Sequence, residues 1–317
     1  MDDTPRNRGE MLSFIRMLRL PNVLLIIAFF VLGDVVVLDA LRERLGVPAH
    51  LTWIDRTLYV LDLLLITWFG YWLNDLHDQA ADRINRPERP LSSEQFQPSL
   101  VRSMAWGAFV AGMLICIYLG VTYGETRFIW IYPVVGMLLW LYARYGKPMG
   151  LIGNVVVSLL IAALPGILIL PELGLMEQWR EAYPTQFSVW VDAVVNYIGL
   201  VFLINLAREV VKDMEDEEGD RVQAGRSLVI LIGQRPTAWI VVFLLLMVIA
   251  LQLRLQLMLG STLSGWLITA IVTGLSALVV MLLVSNLNAR RLCKASSVLK
   301  LIMLIGVLEL ILFRGLL

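Results

Sequence analysis

Nine separate runs of apolar residues, each close to the length that crosses a bilayer, govern what this chain can fold into: 20–38, 57–73, 100–122, 128–143, 151–170, 188–206, 236–258, 265–285 and 298–316. A hydrocarbon core about 30 Å thick takes about 20 helical residues to span. Inside it every backbone polar group must be paired within the protein, which leaves helices or closed barrels, and continuous rather than alternating apolar runs select helices. Composition agrees, with 58% hydrophobic and 16% charged residues and a mean hydropathy of +0.75, far from the soluble norm of about 45–50% and 25%. The chain is therefore read as an all-α polytopic membrane protein, with residues 20–317 forming one nine-helix domain. Residues 1–19 place Met11, Leu12, Phe14, Ile15 and Leu18 at helical spacing among Arg6, Arg8, Arg16 and Arg19, which reads as a cytoplasmic amphipathic helix on the membrane surface. The first apolar run is span-length and lacks a following small-residue cleavage site, so it reads as a helix and not a signal peptide.

Orientation follows from the distribution of Lys and Arg. With the N-terminus inside, nineteen fall on the inner side of the nine-span arrangement and seven on the outer. The protein is thus expected in the cell (inner) membrane with its N-terminus cytoplasmic. The net charge of zero carries no sign of a nucleic-acid partner, and none is expected. Two cysteines and two histidines, widely separated, exclude a disulfide framework and a soft-ligand metal centre.

Charge is concentrated at Asn74–Leu91, NDLHDQAADRINRPERPL, where the second run ends. Asp75, Asp78 and Asp82 are spaced three and then four residues apart, and Asp213, Asp216 and Asp220, after the sixth run, repeat that spacing. On a helix the carboxylates of such a triad fall within about 60°, so each triad is expected on one face. Triads after the second and sixth spans make the chain look like a four-helix unit used twice with a ninth helix added. Parallel repeats would bring both triads to one cytoplasmic mouth. Six carboxylates there call for cations. Oxygen-only ligands select a hard ion, and Mg²⁺ binds through few carboxylates plus substrate phosphate oxygens. The expected cofactor is Mg²⁺, two ions, on Asp75, Asp78, Asp82, Asp213, Asp216 and Asp220. Arg86 and Arg89, stiffened by Pro87 and Pro90, supply guanidinium forks for phosphate.

The order Asn74-Asp75-x-x-Asp78-x-x-x-Asp82, then Arg86-x-x-Arg89-Pro90-Leu91, with the second triad, resembles the UbiA superfamily of intramembrane prenyltransferases. The likeness extends to Arg19 and Asn22, to Tyr142 and Lys147, and to Gly153-Asn154. Arg208, Glu209 and Lys212 ahead of the second triad are most similar to its digeranylgeranylglyceryl phosphate synthase branch. His77, Ser92-Ser93-Glu94 and long outer loops at 39–56 and 171–187 depart from the usual pattern.

The resemblance implies Mg²⁺-dependent transfer of a polyprenyl group, geranylgeranyl, from its diphosphate to a lipophilic acceptor. Asp75, Asp78, Asp213, Asp216, Tyr142 and Lys147 are then expected in the chemistry. Arg19, Asn22, Asn74, Arg86, Arg89, Asn154, Asn205, Arg208, Glu209 and Lys212 are expected on substrate. Trp68, Phe69, Tyr71, Trp72 and Tyr142 offer π faces to an allylic cation, although packing or an interfacial belt accounts equally for aromatics here. Asn74, Asn154 and Asn205 are span-end amides, equally suited to helix–helix hydrogen bonds. The cations left over after one diphosphate, Arg19, Arg144, Lys147, Arg208 and Lys212, favour an acceptor with its own phosphate, such as a prenylglyceryl phosphate. An aromatic acceptor of quinone synthesis stays open, as does a cation-coupled transporter, although a transporter would normally carry ionisable groups near the midplane and the spans show few besides Asp34 and Asp62.

Overall fold

The computed structural model describes residues 11, 13–146, 150–222, 226–260, 262–285 and 287–317. Among these all regular structure is helical. α1 runs Leu20–Leu45, passing through a π-helical stretch at Leu32–Leu38. Then come α2 (Trp53–His77), α3 (Gln79–Asn85), α4 (Pro98–Thr122) and α5 (Thr126–Tyr145). α6 (Leu151–Ala182) is interrupted where Pro165 and Pro171 cannot continue the hydrogen-bond ladder. α7 (Pro184–Glu215), α8 (Glu217–Val222), α9 (Leu228–Ile232), α10 (Gln234–Met258), α11 (Leu263–Val284) and α12 (Ala289–Phe313) complete the order.

Eight of these helices are long and apolar enough to cross a membrane. α2 matches them at 25 residues but carries Asp55, Arg56, Asp62 and Asp75. Each of the nine apolar runs falls on one of these nine helices. The two long loops expected at 39–56 and 171–187 are largely helical instead. α1 continues to Leu45 and closes on Gly46 at φ +68°, the left-handed cap that glycine adopts without strain. Leu173–Ala182 is helical because Leu175, Met176 and Trp179 are buried, with Trp179 edge-on to Phe187 and Trp190 at 5.6 and 5.2 Å.

Two compact units can be distinguished. The first comprises the chain up to Ile27, Leu51–Gly153 and Asp216–Ser227. In it α2 packs against α4 and α5, and α4 presents Val101, Ala105, Ala108 and Gly112 at helical spacing, small side chains that let helix backbones approach. A Cβ on Gly112 would overlap the Tyr132 hydroxyl and the Asp62 carboxylate. Asp62 is itself buried and accepts from Cys116 Sγ at 3.1 Å. Of the amphipathic helix expected at residues 1–19 only the end is described. Residues 13–17 are helical, but Met17 is buried in the core of this unit and Ser13 hydrogen-bonds Gln95, leaving Met11, Phe14 and Ile15 exposed. The other residues of that stretch, 1–10 and 12, lie outside the described set.

The second unit comprises Ala28–His50, Asn154–Glu215 and Leu228–Leu317. It is pinned by polar pairs inside the helices: Gln252 donates to Glu309 at 2.5 Å, Tyr197 to the Gly306 carbonyl at 2.9 Å, and Asn196 to the Leu251 carbonyl at 2.9 Å. Glu309 thus joins Asp34 and Asp62 as an acid within a span. Arg42 is buried among Asp34 at 2.9 Å, Glu172 at 2.6 Å and Asp39.

Candidate active site

The two aspartate triads break in the same register. α2 ends at His77, Asp78 stands outside regular helix at φ −89°, ψ 4°, and α3 restarts at Gln79. α7 ends at Glu215, Asp216 forms the bend, and α8 restarts at Glu217. The triads therefore do not project from one face of a continuous helix, as their spacing alone predicts. In neither motif does the middle aspartate turn its carboxylate onto the helix that follows: Asp78 makes no cap hydrogen bond, and the Asp216 carboxylate is taken by Arg86. Asn74 Nδ2 reaches Asp78 at 2.6 Å across the first bend.

In the first unit these breaks bring Asp216 and Asp220 together with the first motif. Asp75, Asp78, Asp82, Asp216 and Asp220 are all buried or nearly so. Arg89 Nη1 donates to Asp82 at 2.6 Å and to Asp75 at 3.3 Å. Arg86 Nη2 meets both oxygens of Asp216 at 2.9 and 3.1 Å, and Arg19 pairs with Asp75. Arg19 sits at φ +50°, a conformation that costs a non-glycine residue energy. That turn lays its guanidinium over the Tyr71 ring, 4.4 Å from the centroid. Burial alone would weaken the Arg19 charge, but Asp75, Tyr71 and Asp82 outweigh it, and its pKa is raised. Asn22 Nδ2 donates to the Tyr71 hydroxyl at 2.9 Å, anchoring the start of α1 on the same ring.

The other expected residues are distributed as follows. Asp213, in the second unit, accepts from Asn154 Nδ2 at 2.8 Å. Arg208 Nη1 and Lys212 Nζ flank Glu209 at 2.5 and 3.7 Å, and the buried Arg208 Nε has no partner among the described residues. Asn205 is fully buried and donates to Ser158 at 3.1 Å, so two of the three span-end amides, Asn154 and Asn205, join α6 to α7. Tyr142 lies in the last turn of α5, and Lys147 lies outside the described residues. Arg144 rests on the rings of Trp140 and Tyr145. Of the aromatics, Phe69 and Trp72 belong to the core of the first unit, with Trp68 stacked on Trp72, and Tyr71 alone of these four touches the site cations.

One residue lies inside a motif that the sequence marks, NRPERPL, without a role that the sequence assigns to it. Asn85, at the end of α3, donates to the Asp216 carbonyl at 2.9 Å and accepts from the Gly219 N–H at 3.0 Å. A Cβ on Gly219 would overlap the Asn85 amide and the Ala81 carbonyl. The signals that point to Asn85 are its place between the first triad and Arg86 and its membership of NRPERPL.

Among the described residues no three acidic, thiol or imidazole groups converge as a ready metal cage, because guanidiniums stand between the carboxylates. The donors nonetheless fit Mg²⁺, which binds through one or two carboxylates plus substrate phosphate. Five carboxylates against three guanidiniums leave an excess of negative charge that a divalent ion offsets.

The UbiA prenyltransferase family model matches residues 45–305. A digeranylgeranylglyceryl phosphate synthase of Sulfolobus acidocaldarius is 31% identical over 231 residues, 71% of this chain and 75% of that protein. The structure of a UbiA homolog from Aeropyrum pernix K1 aligns over 90% of this chain and 95% of its own at 15% identity and TM-score 0.65. A UbiA homolog from Archaeoglobus fulgidus, bound to GPP and Mg²⁺, covers 94% of this chain and 99% of its own at 11% identity and TM-score 0.55. These two share the fold.

Proposed function

The chain belongs to the UbiA prenyltransferase family, and from that premise we propose that it transfers a geranylgeranyl group from its diphosphate to the hydroxyl of a prenylglyceryl phosphate, at the cytoplasmic face of a cell membrane. It is a multi-pass membrane enzyme and a prenyltransferase. The observation that carries the reading of the site is the cluster of Asp75, Asp78, Asp82, Asp216 and Asp220 around Arg19, Arg86 and Arg89. The digeranylgeranylglyceryl phosphate made by the Sulfolobus relative supports the choice of donor and acceptor.

The aspartates of both motifs would hold Mg²⁺, as two ions, which would neutralise charge on the departing diphosphate. Asp75, Asp78, Asp82, Asp216 and Asp220 hold it from the first unit, and we assign Asp213 the same task because it stands one turn ahead of Asp216. Arg86 and Arg89 shift from carboxylate to phosphate oxygens when the donor arrives, since both already sit within hydrogen-bond reach of the metal-binding aspartates. Asn74 steadies Asp78, and Asn154 steadies Asp213. Arg19 and Asn22, anchored on the face and the hydroxyl of Tyr71, we assign to substrate binding, and Tyr142 and Lys147 to the chemistry. Arg208 and Lys212, with Glu209 to orient them, bind the acceptor's own phosphate, and the spare Arg208 Nε donor supports that role. Water is kept from the allylic cation by the bilayer and the surrounding helices.

The decisive measurement uses the purified enzyme with labelled geranylgeranyl diphosphate and, in parallel, geranylgeranylglyceryl phosphate, hydroxybenzoate and dihydroxynaphthoate, the product being identified by mass. Label is expected on the glyceryl phosphate. Label on an aromatic ring alone would overturn the acceptor assignment and leave the family standing.

A further inference from the structure

We propose that Asn85 is a positioning residue that fixes the second aspartate motif against the first by capping α8 from a neighbouring helix. The inference rests on the reaction proposed above. At the start of a helix, an aspartate in the cap position ordinarily turns its carboxylate onto the N–H two or three residues ahead. Asp216 stands at that position before α8, and Gly219 is three residues on. Here the Gly219 N–H is taken at 3.0 Å by Asn85 Oδ1, from α3. The other arm of the same amide, Nδ2, holds the Asp216 carbonyl at 2.9 Å. One side chain thus makes both hydrogen bonds, and the Asp216 carboxylate faces Arg86 rather than its own helix.

Three further details fit a dedicated clasp. Asn is the residue that supplies a donor and an acceptor at the end of a short, stiff arm. Gly219 is the residue that lets the amide come this close, since any Cβ there would overlap it. Arg86, next in sequence to Asn85, pairs with the very residue whose carbonyl Asn85 holds. Without the clasp, Asp216 is free to cap α8 itself, and its carboxylate is withdrawn from the metal-diphosphate site.

The test compares wild type with Asn85→Ala, Asn85→Asp, Gly219→Ala and the double variant. Loss of the clasp is expected to raise both the Mg²⁺ concentration for half-activation and the KM for geranylgeranyl diphosphate about tenfold, leaving the acceptor KM unchanged. Asn85→Asp keeps the acceptor for Gly219 N–H and recovers part of the loss. Gly219→Ala shows the same defect alone and adds less in the Asn85→Ala background than it does alone, the remainder reporting the Ala81 carbonyl that its Cβ also meets. Two readouts do not depend on turnover. Mn²⁺ binding in the presence of inorganic pyrophosphate, followed by EPR, should weaken in parallel. Spin labels on A80C and E218C, both exposed positions on the two helices, should give a broader distance distribution in Asn85→Ala than in wild type. A variant that keeps the wild-type Mg²⁺ curve, Mn²⁺ affinity and label distances overturns the clasp, as does a fall in turnover alone. If Asn85→Ala does not purify folded, Gly219→Ala carries the same comparison. Failure of the wild type to turn over the diphosphate would instead defeat the proposed reaction, and the label distances would still decide the clasp.

Discussion

Asp75 pairs with Arg19 and Arg89, and Asp213 is held by Asn154, so each has a neighbour that keeps its carboxylate turned to a fixed place. Neutralising either removes one carboxylate from the metal ligands proposed above while keeping the side chain's volume. We expect D75N and D213N to fold, to stay monodisperse in detergent, and to release diphosphate about 10²–10³-fold more slowly. EDTA should abolish wild-type release and Mg²⁺ restore it; release that persists in EDTA would sink the metal reading. At this scale what the sequence shows directly is spacing. The duplicated triads and the Arg86–Arg89 pair were visible because charge repeated at the same spacing after two spans is rare unless a ligand requires it. Asn85 and Asn205 were not separable from other amides, since one clasps a helix start and the other joins two spans, and only the packing partner distinguishes them.

At the scale of elements, the apolar runs mark every long helix among the described residues, whereas the polar interruptions conceal helix. The stretches at 39–56 and 171–187 looked like loops because they carry charge. Much of that charge is paired inside, with Arg42 enclosed by Asp34, Asp39 and Glu172. Deleting one partner of a buried ion cluster leaves the others uncompensated, which costs more than the intact cluster contributes. R42M therefore leaves three carboxylates without their common cation and is expected to destabilise the second unit by about 3–5 kcal/mol, read as a lower midpoint of thermal inactivation in detergent. E172Q, which keeps Asp34 and Asp39 on Arg42, should shift that midpoint less. Equal shifts would mean that the guanidinium contributes packing and not charge. The bends at Asp78 and Asp216 were hidden for a related reason. Helical spacing describes an unbroken helix, and the spacing of three then four residues holds for these triads although the helix stops at the middle residue.

For the whole molecule, orientation is the property that spacing and packing leave to charge. Nineteen Lys and Arg against seven favour a cytoplasmic N-terminus under the positive-inside bias. The number of spans then places both aspartate motifs on that same side, because one lies after an even number of crossings and the other after a larger even number. A single missed or surplus helix between them would put the motifs on opposite faces, where no common diphosphate site is possible. Labelling tests both orientation and count. Cys116 is buried and Cys293 exposed, so a C293S background suffices for a thiol reagent that cannot cross the membrane. In that background A80C, on α3, and E218C, on α8, should each react only when the reagent has access to the cytoplasmic face, as in inverted vesicles, and remain unlabelled in intact cells. L263C, exposed at the start of α11, should behave in the opposite way. Labelling of A80C and E218C from different sides would break the parity of the span count, and labelling of both from outside would invert the protein in its membrane, with the donor diphosphate then required on the far side from the pool that the charge bias implies.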